Sequence, residues 1–336
     1  MLTEAVLTID TGLSPRSNDA PRHDQINEGG GDPLVDIVIV NWNAGDHLKA
    51  CLASLVSESE RRHIRTVTIV DNGSTDGDLD ARVPPDLPVR IDRAYANLGF
   101  AAGANRGARQ GDAPYILFLN PDARLVPGAL QAALAAFGRS AAIGIVGLRL
   151  LDGEGRVSHT CSRFPTAGAF AARSLGLDRL PWFQRLKPFM EDWPHAESGI
   201  VDQVMGACLI LPRKLFDDLG RFDERFFLYY EDVDLAKRAQ LANRPSWFEA
   251  TGAAYHVGGG SSASIPGRRL FYILASRLAY GRKHFHRPAY LLVLFATLAL
   301  EPWSRLVQET CRRGVAGAAA VATGYGLLLR QMVTGR

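Results

Sequence analysis

The chain has 336 residues, 47% of them hydrophobic and 22% charged, with 38 basic against 35 acidic side chains and a formal net charge of +3. That composition belongs to a globular protein with room for a sizeable core, and its charge gives no ground for a nucleic-acid partner. The four cysteines, Cys51, Cys161, Cys208 and Cys311, are scattered without a CxxC pair, which argues against a zinc site or a disulfide framework and for reduced thiols.

Residues 1–32 hold acids, Pro, Gly and Asn without an apolar stretch that suits a signal peptide, so they read as a tail. Order is expected from Leu34. The β-branched run Val35 to Val40 reads as a buried strand, broken by Asn41-Trp42-Asn43-Ala44-Gly45. Leu48, Leu52, Leu55 and Val56 follow at helical spacing. A second strand, Thr66 to Val70, runs into the turn-rich Asp71-Asn72-Gly73-Ser74-Thr75-Asp76-Gly77. After a short extended piece at Val89-Arg90-Ile91, the Gly-rich stretch 97–107 reads as a loop leading into a helix. Tyr115 to Leu119 is a third buried strand and stops at Asn120-Pro121-Asp122. Leu130, Leu134 and Phe137 then mark a helix.

This alternation predicts βαβ units and an α/β fold around a mostly parallel sheet. Ligands of such sheets bind at the carboxyl ends of the strands, where three polar clusters collect. Section 155–200 is irregular and reads as an excursion over the site. Residues 201–212 resume as an apolar run, and Ser246 to Ala250 reads as a last strand before Tyr255-His256 and a Gly/Ser loop.

Five features carry candidate chemistry, and each also admits a structural reading. Asp122, behind a Pro turn at a strand end, suits a hard cation bound to a diphosphate, whose shell phosphates and water complete. It also suits a plain turn. Asp71 can accept hydrogen bonds from a base or ribose, or only shape its turn. In 97–107, Gly99 and Gly103 allow close backbone approach to a ligand, with Asn105 and Arg106 as donors, or else tight helix packing. Glu231-Asp232-x-Asp234 follows a wall of aromatic and aliphatic residues that raises a carboxylate pKa, which suits a general base. Acids at that place also suit a helix start. His256 is a structural histidine or a metal or diphosphate contact. Neither GxGxxG nor GxxxxGK[ST] is present, which disfavours a dinucleotide enzyme and a P-loop.

Taken in order, IVIVNWN, IVDNGSTDG, ANLGFAAGANRG, FLNPDA, GACLILPRKLFDDLGRFDERFFLYYEDVDLAKRA and YHVGG resemble the inverting glycosyltransferase family 2, from about Val35 to about Ser262. NPDA with FFLYYEDVDL looks like its rhamnosyltransferase branch. The resemblance implies a GT-A nucleotide-diphospho-sugar transferase fold for residues 33–262, with 263–336 as a helical extension. It implies transfer of a sugar, best taken as L-rhamnose from dTDP-L-rhamnose or else from a UDP-sugar, to a hydroxyl of a glycan or polyprenyl-linked acceptor in cell-wall or surface polysaccharide synthesis. Asp232 is then the base with Glu231 beside it. Asp71 contacts the pyrimidine nucleoside, Asn41 and Asn43 lie near the nucleotide, and Asn97, Gly99, Asn105 and Asn120 line the donor pocket. Asp122 and His256 hold a divalent cation, Mg²⁺ or Mn²⁺. The family's Asp-x-Asp appears here as Asn120-Pro121-Asp122, so metal binding rests on Asp122. Rival readings are a nucleotidyltransferase, whose Gly-rich basic signature is missing after the first strand, and a non-catalytic nucleotide-sugar binding protein.

Beyond Ser262, Arg268, Arg269, Arg277, Arg282, Lys283 and Arg287 interleave with aromatics, and two uncharged stretches, 289–300 and 314–329, follow. As helices these span about 18 and 24 Å, short of a hydrocarbon core of about 30 Å. The extension is therefore expected to lie on the cytoplasmic face of the plasma membrane, with its basic residues toward anionic lipid, or else to pack on the catalytic domain.

Overall fold

The structure is a computed structural model that describes residues 34–177, 182, 187–258 and 265–335. The expected tail at 1–32 and the Gly/Ser loop beyond Gly258 lie outside the described residues.

Strands β1 (Val35–Asn41), β2 (Ile64–Asp71), β3 (Val89–Arg93), β4 (Tyr115–Leu119), β5 (Ala123–Leu125), β6 (Ile145–Leu151), β7 (Gly199–Val201), β8 (Cys208–Pro212) and β9 (Ser246–His256) form one sheet in the order β3-β2-β1-β4-β8-β6-β9-β5, with β7 on β9. β3, β2, β1 and β4 are parallel neighbours, as the βαβ pattern requires. Beyond β4 the sheet is mixed: β8 is antiparallel to β4 and β6, while β6 and β9 are parallel. The last strand is longer than expected and carries His256 as its final residue.

Side chains alternate between the sheet's two faces, because successive Cβ atoms of a strand point oppositely. Val35, Ile37 and Ile39 of β1 join Leu117 and Leu119 of β4 in a core with α1 (Asp46–Ser54) and α4 (Ala129–Arg139), and Glu60 of the short α2 (Glu58–Arg61) accepts the Gly128 and Leu130 N–H groups at the start of α4. Val38, Val40, Ile116 and Phe118 face the other way. They meet α3 (Phe100–Ala108), α6 (Arg213–Asp218) and α7 (Glu231–Leu241). Because both faces are covered, these strands are apolar on both faces and not alternating, save for Asp36, which pairs with Arg213, and the terminal Asn41 of β1.

The Gly-rich stretch is mostly helix, since α3 begins at Phe100. Gly103 serves packing: a Cβ there would lie 2.9 Å from Val40 Cγ1. Asn97 receives the Gly99 N–H on its Oδ1 at 3.0 Å, and Gly99 adopts φ +84°. A Cβ on Gly99 would stand 2.3 Å from the Phe227 carbonyl oxygen, which accepts the Phe100 N–H at 2.7 Å.

A third core joins α5 (Ala167–Ser174) to the C-terminal helices α8 (Pro266–His284), α9 (Arg287–Phe295) and α10 (Glu301–Thr334), through Phe170, Phe226, Leu274, Tyr280, Val293 and Tyr325. At its centre Arg277 and Glu301, both buried, form an ion pair that Arg305 and the Ser174 hydroxyl complete. Burial opposes the Glu301 charge, but the two guanidiniums outweigh it and hold the carboxyl at about 2. α8 and the second half of α10 pack on the body, as one reading of the extension expects, whereas α9 and the first half of α10 expose apolar side chains. The backbone of α10 breaks at Gly314, at φ +60° and ψ −142°.

Gly99→Ala is expected to cost about 3 kcal/mol in urea unfolding, because a positive φ and a blocked Cβ add. Gly128→Ala, at φ +88° with nothing within 4 Å, has the strain alone and should cost roughly 1 kcal/mol. Equal losses would show that the Phe227 contact carries no weight.

Candidate active site

The strand ends at the middle of the sheet open into a cavity of about 1360 Å³. Its wall includes Asn43, Asn97, Gly99, Asn120, Asp122, Glu231, Asp232 and His256, so eight of the residues singled out in the sequence meet in one place.

Loops after β1 and β2 are laced together beside it. Asn41 and Asp71 are register partners at the ends of their strands, and Asn41 Nδ2 donates to Asp71 Oδ1 at 3.1 Å and to Ser74 Oγ at 3.0 Å. Asn43 Oδ1 accepts the Thr75 N–H at 2.7 Å, and Asp76 Oδ2 accepts the Gly45 N–H at 2.6 Å. These bonds engage Asn41, Asp71 and the Oδ1 of Asn43 within the protein.

Three of the expected pocket residues do not line the cavity. Asn41 is fully buried in the lacing, and Asp71 is buried with it. The neighbour Asn72 lines the cavity instead. Its Nδ2 donates to the Gly99 carbonyl at 3.0 Å and its buried Oδ1 has no partner. Asn105 is buried elsewhere: its Nδ2 donates to the Phe222 carbonyl and to Glu224, and its Oδ1 accepts the Phe222 N–H. An asparagine with every polar atom engaged in anchoring a loop has none left for a ligand. Arg106 likewise clamps Asp92 with two bonds of 2.7 and 2.6 Å.

Asp122 sits in the turn between β4 and β5. Antiparallel pairing of β5 with β9 aligns Ala123 with His256, which brings His256 Nε2 to 3.4 Å from Asp122 Oδ1. Burial works against the Asp122 charge, yet the hydrogen bond and charge of His256, with His47 nearby, hold its carboxyl below the usual range. One carboxylate and one imidazole suit a divalent cation that keeps diphosphate and water in its remaining positions. No group of three or more acidic, His or Cys side chains is poised for a metal among the described residues, so a protein-only cage is not part of this site.

The acidic run at the start of α7 has three fates. Asp232 accepts from Gln203 Nε2 at 2.9 Å and from the Gly206 N–H at 2.8 Å on Oδ2, and from the Val233 N–H at 2.8 Å on Oδ1. Burial raises its pKa, against the pull of those donors. Glu231 is buried with no partner on Oε2, so burial and the neighbouring Asp232 charge push its carboxyl well above the usual range. The two acids adjoin and titrate as a pair, with the greater upward push on Glu231. Asp234 points elsewhere: fully buried, it takes His284 Nε2 and Lys283 Nζ, both at 2.7 Å, and Arg238 Nε at 2.8 Å, tying α7 to the end of α8.

The irregular section does line the cavity, through Ser162, Arg163, Phe164, Thr166 and Lys187 among others. Sequence reading missed Gln203, Gly206, Arg173 and Tyr272. Gln203 had no periodic or motif signal. Tyr272 lies one turn into an apparent appendage, yet its ring stacks on Phe227 at 4.6 Å. Tyr229 and Tyr230 both hold φ +69°, a strained conformation for aromatic residues that sets the entry into α7.

Comparison with known proteins bears on this arrangement. The glycosyl transferase family 2 model matches residues 36–219. An N-acetylglucosaminyl-diphospho-decaprenol L-rhamnosyltransferase of Mycobacterium tuberculosis is 32% identical over 251 residues, 70% of this chain and 80% of that protein. A low-salt glycan biosynthesis hexosyltransferase of Haloferax volcanii is 27% identical over 215 residues, 62% of each chain. The fold resembles that of a Pyrobaculum calidifontis mannosyltransferase solved with GDP-mannose and Mn²⁺, at a TM-score of 0.53 and 17% identity, over 89% of this chain and 81% of that one. The family match takes in β1 to β8 and, with them, Asn43, Gly99 and Asp122 of the cavity wall, and so the chain belongs to glycosyl transferase family 2: it is a glycosyltransferase of the GT-A fold, similar to the rhamnosyltransferase branch.

Proposed function

We propose that the chain transfers L-rhamnose from dTDP-L-rhamnose, with inversion, to a sugar hydroxyl of a polyprenyl-diphosphate-linked acceptor. The sugar and the acceptor class rest on the similarity to the mycobacterial rhamnosyltransferase. The chemistry rests on one observation, a cavity that holds an ionisable pair, Glu231 and Asp232, and a separate carboxylate–imidazole pair, Asp122 and His256.

In this reading Asp232 takes the proton of the acceptor hydroxyl. Three of its lone pairs are engaged, which fixes the carboxylate and leaves one free for the incoming proton. Burial and the Asp232 charge both oppose ionisation of Glu231, which favours a single negative charge beside the attacking oxygen. Asp122 and His256 would hold Mg²⁺ or Mn²⁺, which when bound offsets charge on the leaving diphosphate. Asn43, Asn72 and the Asn97–Gly99 turn offer polar contacts to the donor, and Asn120 adjoins Asp122.

The same reading seats the chain on the inner face of the plasma membrane. Leu291, Leu292, Phe295, Trp303 and Val307 are all exposed, Trp303 at 70%. Arg287, Arg312 and Arg313 are exposed on the same helices, and Arg282 near the end of α8. Helices over Arg287–Thr334 contain a stretch long and apolar enough to cross a bilayer. The break at Gly314 interrupts that rod, and an interfacial position satisfies the apolar ridge and the arginines together.

Asp232→Asn is expected to lower kcat by about 10²-fold or more with donor KM little changed. Turnover near wild type would remove Asp232 from the mechanism. Glu231→Gln should change the pH dependence of stability. A buried acid with a raised folded pKa binds a proton the unfolded chain has lost, so wild type loses stability as pH rises from the ordinary value of 4.5 toward the raised one. Thermal melts should show the variant gaining on wild type as pH increases through that window, and parallel curves would refute the assignment. Full-length protein should co-float with phosphatidylglycerol vesicles and less with phosphatidylcholine vesicles. Phe295→Ser/Trp303→Ser should release it, and unaltered flotation would exclude this face as the contact.

A further inference from the structure

The cavity wall carries basic side chains of two kinds. Arg163 pairs with Asp192 at 2.7 Å and Lys187 with Glu191 at 2.7 Å, so their charge is matched. Arg173, Arg268 and Arg269 are exposed and have no acidic partner among the described residues. Two of the three occupy the first turn of α8, which contains no acidic residue and no side-chain cap. Cations there oppose the helix dipole and repel one another, an arrangement that an anion relieves.

Their position relative to the base separates the two substrates. Arg173 lies one turn beyond Phe170 on α5, and the Phe170 ring meets Tyr230, the residue before Glu231, at 5.9 Å. Arg268 and Arg269 precede Tyr272 by four and three residues, so they share its face of α8, and Tyr272 stacks on Phe227. All three guanidiniums thus rise from faces that pack against the segment carrying Glu231 and Asp232. Asn43, Asn72 and Asp122 stand instead at the strand ends. The accepting hydroxyl must reach the base, so the wall beside the base belongs to the acceptor.

Resting on the proposed glycosyl transfer, we infer that Arg173, Arg268 and Arg269 form a subsite for the diphosphate of the acceptor. A single sugar separates the accepting hydroxyl from the diphosphate in an acceptor of the N-acetylglucosaminyl-diphospho-polyprenol kind, so a base and a cationic wall side by side can hold both ends of that unit. The guanidinium fork suits phosphate oxygens, and the charge favours a diphosphate-linked over a neutral sugar.

The test compares two acceptors with full-length protein: N-acetylglucosaminyl diphosphate on a farnesyl chain, and octyl N-acetylglucosaminide, which has the sugar without the diphosphate. In Arg268→Gln/Arg269→Gln and in Arg173→Gln, KM for the diphosphate acceptor should rise by about tenfold or more. KM for the octyl glycoside, KM for the donor and donor hydrolysis without acceptor should stay within about twofold, and Arg→Lys variants should recover part of the loss. A rise in donor KM would assign these arginines to the donor's diphosphate and overturn the inference. Equal losses with both acceptors would overturn it as well, by pointing to a structural effect. A wild-type chain that neither transfers nor hydrolyses any nucleotide sugar would sink the glycosyltransferase mechanism itself, an outcome separate from either of these.

Discussion

The contact between Gly99 and the Phe227 carbonyl joins the two halves of the site. One half, made of the loops after β1, β2 and β3, is laced by side chains at Asn41, Asn43, Asp71 and Asp76. The other is the strained segment 227–230 that delivers Glu231 and Asp232. Phe227 carbonyl accepts the first N–H of α3, and only a residue without Cβ leaves room for it. A buried backbone pair of this kind is costly to leave unmade, so the position of the acids depends on the position of the donor-side loops.

Electrostatics then separates groups of similar chemistry. Asp122 and Asp232 both lie in the cavity wall, but a histidine faces the first and a second acid adjoins the other. His256 holds the Asp122 carboxyl down, whereas burial raises that of Asp232, so two acids of one cavity differ in how readily they ionise. Asp234, two residues from Asp232, is surrounded by Arg238, Lys283 and His284 and holds α7 to α8. With Tyr272 on Phe227 and Phe170 on Tyr230, this makes the C-terminal helices a wall of the site rather than an appendage.

Much of the site was legible because strand runs are local and polar clusters end them. Tyr115 to Leu119 are apolar at every position and Val35 to Val40 at all but Asp36, and Asn43, Asp122 and Asp232 follow from turns and a helix start. Asn105 and Asp71 are engaged within the protein, and a polar side chain in a Gly-rich or turn segment has the same sequence signature whether it faces a ligand, a neighbouring strand end or a carbonyl 117 residues away. Gly103 was ambiguous in the same way, and packing against Val40 decided it. Gln203, Arg173 and Tyr272 carried no signal, since their value comes from neighbours far along the chain.

By itself the sequence determined the α/β class, the parallel pairing of the first strands, the family, and the chemical types available at the strand ends, since each is encoded in local periodicity or in a contiguous motif. Tertiary structure alone decided the mixed half of the sheet, which acids share the cavity, which polar groups are already satisfied, and how far α8 enters the wall. Those outcomes depend on hydrogen bonds and burial between segments distant in the chain, and a carboxylate's charge or an asparagine's free atoms exist only once such neighbours are in place.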